Sequence, residues 1–302
     1  MNSTHFTTPI LFVVFNRPET TQKVIESIRK VRPQALYIAA DGPRSNTPGD
    51  AERCAAARKV AMSVDWPCEV HTLLHNENLG CAANTSSGIT WFFESVPEGI
   101  ILEDDCVPVA SFFRFCQELL QYYRDVPQIM HIAGNSHQYG RRRGPASYYF
   151  SKYANFWGWA TWRRAWSLFD PDLRPSWELK DDWSAPWQLS IERSRGIAIV
   201  PNVNLVKNIG FGAGATHTKA VERGAFAEAT EIPFPLVHPR SLSVNRSADI
   251  FTYYAHHRLV RHLRLIWMYR LMDYIYVRLK AVKRLFLRLL NGGGQSAALR
   301  RG

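Results

Sequence analysis

Three acidic residues stand in a row at Glu103-Asp104-Asp105, directly after the short apolar run Gly99-Ile-Ile-Leu102. Adjacent carboxylates repel one another, and a bound divalent cation relieves that repulsion. Mg²⁺ or Mn²⁺ takes carboxylate oxygens, keeps some water and completes its shell with phosphate oxygens. Taken by themselves the three acids read slightly better as a solvated turn. Their place behind an apolar run reverses that preference. A second acidic pair lies in Lys180-Asp181-Asp182-Trp183. A carboxylate there could take a proton from a hydroxyl within hydrogen-bond reach. The same pair suits a helix N-cap with a second acid against the helix dipole, and locally the cap is the better reading.

Other polar residues sit at comparable places. Asn16-Arg17-Pro18 and Asp41-Gly42-Pro43 each end an apolar run. Asp41 either closes a turn or accepts a hydrogen bond from a nucleobase N–H or a ribose hydroxyl. Arg17 either pairs with a carboxylate of the fold or meets a phosphate or a base. His217 follows the glycine-rich Gly210-Phe-Gly-Ala-Gly214, where an imidazole could reach a metal or phosphate, although a lone histidine is more often structural. Residues 141–190 are dense in tryptophan, which suits a core better than a sugar platform because tryptophan is mostly buried.

The elements that must hold these residues alternate in type. Pro9 to Phe15, Ala35 to Ala40, Glu69 to Leu74 and Gly99 to Leu102 read as strands, the first two as buried parallel ones. Thr20 to Lys30, residues 50–63, Ala82 to Ser95 and residues 111–125 read as helices, and Ile197 to Ile209 as a second strand-rich stretch. Alternation of this kind gives an α/β fold with a mixed, largely parallel central sheet. In open sheets of that class ligands bind beyond the carboxyl ends of the strands. Asn16-Arg17, Asp41-Gly42 and Glu103-Asp104-Asp105 all fall there.

The chain has 302 residues, 46% of them hydrophobic, which suffices for a large core. Its net charge of +11 favours anionic partners without choosing among them. Cysteines 54, 68, 81, 106 and 116 form no C-x-x-C, so neither a zinc cage nor a disulfide framework is expected, and the setting reads as reducing. No G-x-G-x-x-G, P-loop, G-x-S-x-G or H-E-x-x-H occurs, which weakens dehydrogenase, P-loop ATPase, serine hydrolase and zincin readings. No signal peptide or spanning segment is apparent. From His256 to Leu290 nine lysines and arginines face one acid, Asp273, and Met268, Leu271, Ile275, Leu279, Val282, Phe286 and Leu289 recur at helical steps. This is an amphipathic helix with a cationic face, suited to a membrane surface or to packing on the main domain. Residues 1–250 are therefore expected as the main domain, with halves 9–110 and 111–250, and 251–302 as a basic helical tail.

Several segments together resemble the GT-A-fold glycosyltransferases, and most of all the N-acetylglucosaminyltransferase I group and similar bacterial proteins. Pro9-Ile-Leu-Phe-Val-Val-Phe-Asn-Arg-Pro18 resembles that family's first strand and its nucleotide-contacting end. Ile101-Leu-Glu-Asp-Asp-Cys-Val-Pro-Val-Ala-Ser-Phe-Phe113 resembles its metal-site segment. Asn155 to Trp162 resembles the stretch before the acceptor region, and Asp181-Asp182-Trp183 its Asp-Asp-Trp. The match runs over roughly residues 9–220.

The resemblance implies a Rossmann-like nucleotide-diphospho-sugar transferase fold with a C-terminal helical extension. It implies Mn²⁺ or Mg²⁺ on Asp105, assisted by His217, with Glu103 and Asp104 on the sugar and ribose side. Phe15, Asn16 and Arg17 would meet the nucleotide, and Asp41 the uracil. Asp181 would be the general base of an inverting transfer, with Asp182 beside it. The implied partners are a UDP-type nucleotide-sugar donor and a glycan or glycolipid acceptor, with no nucleic acid. The implied setting is cytoplasmic, with the tail at the inner face of the plasma membrane. A sugar nucleotidyltransferase on a similar fold ranks lower, because it needs a basic Gly-rich loop where Asn16-Arg17-Pro18 stands. A non-catalytic membrane- or nucleic-acid-binding module is the third reading.

Overall fold

The computed structural model describes residues 6–173, 182–211 and 228–254. The first strand, β1 (Ile10–Val14), is buried at all five positions. A strand covered on both faces has no polar face to show, hence its unbroken apolar run. Helix α1 (Pro18–Val31) opens with proline at its first position, where a missing N–H costs nothing, and closes on Arg32 in the left-handed conformation. Its buried face is Thr21, Val24, Ile25, Ser27 and Ile28. Strand β2 (Ala35–Ala40), helix α2 (Asp50–Ala61), strand β3 (Glu69–Leu74), helix α3 (Cys81–Ser95) and strand β4 (Glu98–Glu103) continue the alternation.

After β4 the pattern changes. A short strand β5 (Cys106–Pro108) precedes helix α4 (Ala110–Tyr122). Then follow β6 (Ile129–Ala133), β7 (Tyr148–Ser151), β8 (Trp159–Trp162), α5 (Arg163–Trp166), α6 (Ser184–Arg193), β9 (Ile197–Pro201) and β10 (Val206–Asn208). Among the described residues the sheet has eight strands, in the order β3-β2-β1-β4-β8-β6-β9-β7. The first four are mutually parallel. Strand β8 runs against β4 and β6, β9 runs with β6, and β7 runs against β9. The α/β class with a mixed, largely parallel sheet is therefore what the sequence implied. Strands β6, β7 and β8 were not separately legible.

Alternate residues of β1 serve two cores. Ile10, Phe12 and Val14 pack with α1 and α4 residues such as Ile25, Phe112 and Phe115. Leu11 and Val13 belong to the opposite layer with Ile89, Phe92, Trp159, Trp183 and Trp187. The period-two alternation of a strand thus builds a three-layer domain. Beside the sheet, β10 and β5 form a two-stranded antiparallel ribbon in which Asn208 faces Cys106.

The chain divides into two compact units, Met1–Asn245 and Arg246–Gly302. In the second, the described helix is α7 (Arg246–Thr252). The expected basic helical tail otherwise lies outside the described residues. Among the described residues no helix is long and apolar enough to cross a membrane. No disulfide joins any of the five cysteines.

Candidate active site

Strands β1 and β4 are parallel neighbours with Val13 opposite Glu103, so Phe15–Arg17 and Glu103–Asp105 leave the sheet side by side. The Phe15 N–H donates to Asp104 Oδ2 at 3.1 Å. The Arg17 guanidinium donates to Asp104 Oδ1 and stands 3.1 Å from Asp105 Oδ2. Arg17 is itself fixed, because its carbonyl accepts from the Thr20 and Thr21 hydroxyls. Both oxygens of Asp104 are thereby engaged, and its side chain is only 3% exposed against 13% for Asp105. Asp105 Oδ1 receives two long contacts, from the Cys106 thiol at 3.4 Å and the Asn208 amide at 3.5 Å. Asp105 is thus the member of the triplet best able to offer an oxygen to a ligand.

One guanidinium faces three carboxylates. Desolvation pushes the Glu103 carboxyl up to about 8, with Asp105, Asp104 and Asp182 adding repulsion and Arg17 opposing it. Desolvation likewise raises Asp104 to about 6, against the pull of Arg17. Desolvation pulls the Arg17 pKa down, but Asp104 and Asp105 together hold it above its ordinary value. The surplus of negative charge and the all-oxygen donors fit a hard divalent cation shared with phosphate. Arg17 Nε is buried without a partner among the described residues, which leaves a donor for an anionic ligand. Among those residues no group of three or more His, Cys, Asp and Glu is arranged to hold a metal ion.

The ribbon seals the other side of Asp105. The Ile209 N–H donates to the Asp105 carbonyl at 2.9 Å, and the Gly210 N–H to Asn208 Oδ1 at 2.8 Å. A Cβ at Gly210 would fall on the Asp105 carboxylate and within 2.9 Å of Arg17 NH1. Only glycine lets the backbone approach so closely.

The remaining strand-end residues are tied into neighbouring loops. Asp41 is buried; its Oδ1 accepts from Gly42 N and Leu79 N, and its Oδ2 from Asn78 Nδ2 and Gly80 N. Desolvation raises its pKa, and the Leu79, Gly42 and Gly80 N–H groups resist the rise. Four bonds use the carboxylate's usual acceptor positions, so Asp41 holds the loop that leads into α3. Asn16 donates to Asp50 Oδ1 at 2.6 Å. Asp50, with a fully buried side chain, also accepts from Arg44 and Arg53. Its pKa is lowered, chiefly by the Arg44 hydrogen bonds. The Arg44 guanidinium lies 5.2 Å from the centre of the Phe15 ring. Sequence reading missed Asp50, Arg44 and Asn78; the signal was faint, namely an acid right after Gly49 where a helix begins.

Asp182 Oδ1 accepts from the Ser184 N–H at 2.8 Å and its hydroxyl at 2.7 Å, an Asx-turn just ahead of α6, whose N-cap is Trp183 with no side-chain cap bond. Its charge also reaches Glu103. Trp183 stacks on Trp159 at 5.6 Å, and Trp159 on His131 at 4.9 Å. His131 Nε2 bonds the Asn155 carbonyl at 2.8 Å, while Nδ1 faces the Trp187 N–H at 3.4 Å. Desolvation lowers its pKa to about 4, with the Asn155 bond opposing. A neutral imidazole thus anchors the aromatic column next to Asp182. Asp181 and His217 lie outside the described residues. Two clefts, of about 330 and 540 Å³, flank the β10 side of the domain, and neither is lined by the acid triplet.

The chain matches no protein-family model and no curated protein. Among solved structures it is similar to UDP-glucose pyrophosphorylase complexed with UDP-glucose, at 9% identity over 65% of this chain and 91% of that one, TM-score 0.40. It is similar to GalNAc-T7 with UDP, GalNAc and Mn²⁺, at 14% identity over 71% of this chain and 45% of that one, TM-score 0.47. A third is Staphylococcus aureus TarS 1-349, at 11% identity over 66% and 59%, TM-score 0.39.

Proposed function

We propose that the protein is a metal-dependent glycosyltransferase that moves a sugar from a nucleotide-diphosphate donor to an acceptor hydroxyl. The observation that carries this reading is the meeting of Arg17 with Glu103-Asp104-Asp105 where the parallel strands β1 and β4 end. Ligands of open α/β sheets bind at such ends. A guanidinium among surplus carboxylates suits a diphosphate held jointly with a cation. Asp105 would hold Mn²⁺ or Mg²⁺, which when bound neutralises charge on the departing diphosphate. Phe15, Asn16 and Arg17 form the nucleotide side, with Asp41 shaping it through the Asn78–Gly80 loop. Asp182 Oδ1 is engaged by the Ser184 N–H and hydroxyl, which supports Asp181 as the general base of an inverting transfer. His217, a cytoplasmic setting and contact of the basic tail with a membrane belong to the same proposal on sequence grounds.

The test uses purified protein with Mn²⁺ or Mg²⁺ and a panel of UDP-sugars, read by thermal shift and donor hydrolysis. Asp105→Ala is expected to abolish metal-dependent donor binding. Asp181→Ala is expected to keep donor binding and lose transfer. Donor binding by Asp105→Ala equal to wild type would remove the metal role, and absence of binding to any nucleotide-sugar would remove the reading altogether.

A further inference from the structure

We propose that the outer edge of β3 is a dimer interface, where a second copy of this chain adds its own β3 antiparallel about a two-fold axis at Thr72. The sheet has two edges, β3 and β7. An open strand edge is a template for another strand, so folds cover or blunt it. The β7 edge is covered by the chain itself: Phe150 bridges to Val244, and the Asn245 N–H donates to the Phe150 carbonyl at 2.8 Å. Among the described residues no strand pairs with the outer side of β3. Every residue of β3 is exposed except the half-buried Leu73.

Nor is this edge blunted. Natural edges carry lysine, proline or a bulge. Strand β3 has none of these, and residues 60–113 contain no lysine or arginine in a chain of net charge +11. The surplus positive charge that would drive copies apart is therefore absent from this edge.

The backbone sets the register. The Glu69 N–H donates to the Gln34 carbonyl at 2.8 Å, and the His75 N–H to the Ala40 carbonyl at 3.0 Å. These residues turn inward to β2, so the N–H and C=O of Val70, Thr72 and Leu74 point outward. In an antiparallel pair, outward residues exchange both bonds with one another. With the axis at Thr72, Thr72 meets Thr72 of the second copy, and Val70 meets Leu74 of that copy. An axis at Val70 or Leu74 would leave part of the strand unpaired.

The same register serves the side chains. Val70, Thr72 and Leu74 lie opposite Leu36, Ile38 and Ala40 of β2, on the face packed against α1. Val70 is 41% and Leu74 39% exposed, and the pairing lays each of them against the other's copy. On the opposite face Glu69 stands across from His75, an acid beside an imidazole. The two copies of Glu69 fall at opposite ends of the pair. A patch that complements itself in this way is what a two-fold interface requires.

Analytical ultracentrifugation of the full chain over a wide concentration range tests this. Wild type is expected to pass from monomer to dimer. Thr72→Pro removes an outward N–H and none that β2 uses. It is expected to weaken the dimer about tenfold or more, with the circular dichroism of wild type. If Thr72→Pro does not fold, Val70→Lys, at an exposed position, decides with the same expected loss. Register is read by oxidative cross-linking in a Cys68→Ser, Cys81→Ser background. Thr72→Cys is expected to form a disulfide-linked dimer, because facing partners stand about 5.5 Å apart. Leu73→Cys faces His71 of the other copy and is expected not to. A wild type that stays monomeric throughout leaves the edge to another extended chain, or to none, and overturns the proposal. So does a dimer that survives undiminished in folded Thr72→Pro or Val70→Lys. So does a Thr72→Cys protein that cross-links no better than Leu73→Cys.

Discussion

Asp105 meets Arg17 across 3.1 Å, and the same guanidinium donates to Asp104. One cation therefore serves two carboxylates, and the third, Glu103, has none of its own. Arg17→Met is expected to destabilise the fold by about 2–3 kcal/mol, below the range for a fully enclosed pair because Arg17 is 23% exposed. Millimolar Mg²⁺ or Mn²⁺ is expected to restore part of that loss. Urea unfolding with and without the ion checks this; an ion that stabilises wild type and variant equally would refute the shared role.

The raised Glu103 carboxyl has a definite sign. Its native pKa, about 8, lies above its ordinary value, so the native state holds the proton longer than the unfolded chain. That contribution to stability is complete below about pH 4.5 and lost as pH rises through about 8. Glu103→Gln cannot ionise. In EDTA it is expected to match wild type at pH 4 and exceed it increasingly up to pH 8.5. A constant difference across that range would contradict the argument.

His131 works in the opposite direction. Its native pKa, about 4, lies below the ordinary 6.5, so the unfolded chain takes the proton first. Stability is full above pH 6.5 and falls by on the order of 3 kcal/mol as pH drops to about 4. His131→Gln keeps polar atoms in place and does not titrate. Its stability is expected to be flatter between pH 6.5 and 4, measured by denaturant unfolding in parallel with wild type.

Asp41 is expected to act on a loop rather than on a global core. Asp41→Asn presents an NH₂ to donors at Asn78 and Gly80 and should cost about 2 kcal/mol. Hydrogen exchange at the Leu79 and Gly80 amides should accelerate, while exchange in β1 and β4 stays as in wild type.

The strand ends were readable because apolar runs broken by polar clusters survive any detail of packing. The positions of β1, β2, β3 and β4 follow from that alone, whereas the pairing of β1 with β4 that brings Arg17 to the triplet does not. The β5–β10 ribbon was not readable, because three-residue strands carry no period and their pairing spans a hundred residues. Strand β8 was hidden inside the tryptophan-rich stretch, where every residue is buried and alternation vanishes. Asp182 shows the limit of local reading in another way. Spacing offered a helix cap or a proton-accepting carboxylate, and the side chain instead forms a turn with Ser184 while its charge reaches Glu103.

Asp50 has a consequence for descent. One buried carboxylate answers Asn16, Arg44 and Arg53, and Arg44 in turn rests near Phe15. Replacing Asp50 by a neutral residue removes the shared partner of two arginines and an amide at once. Among homologues, positions 16, 44, 50 and 53 should be inherited or exchanged as a set, and a lineage that has lost Asp50 should have lost the charges at 44 and 53 with it.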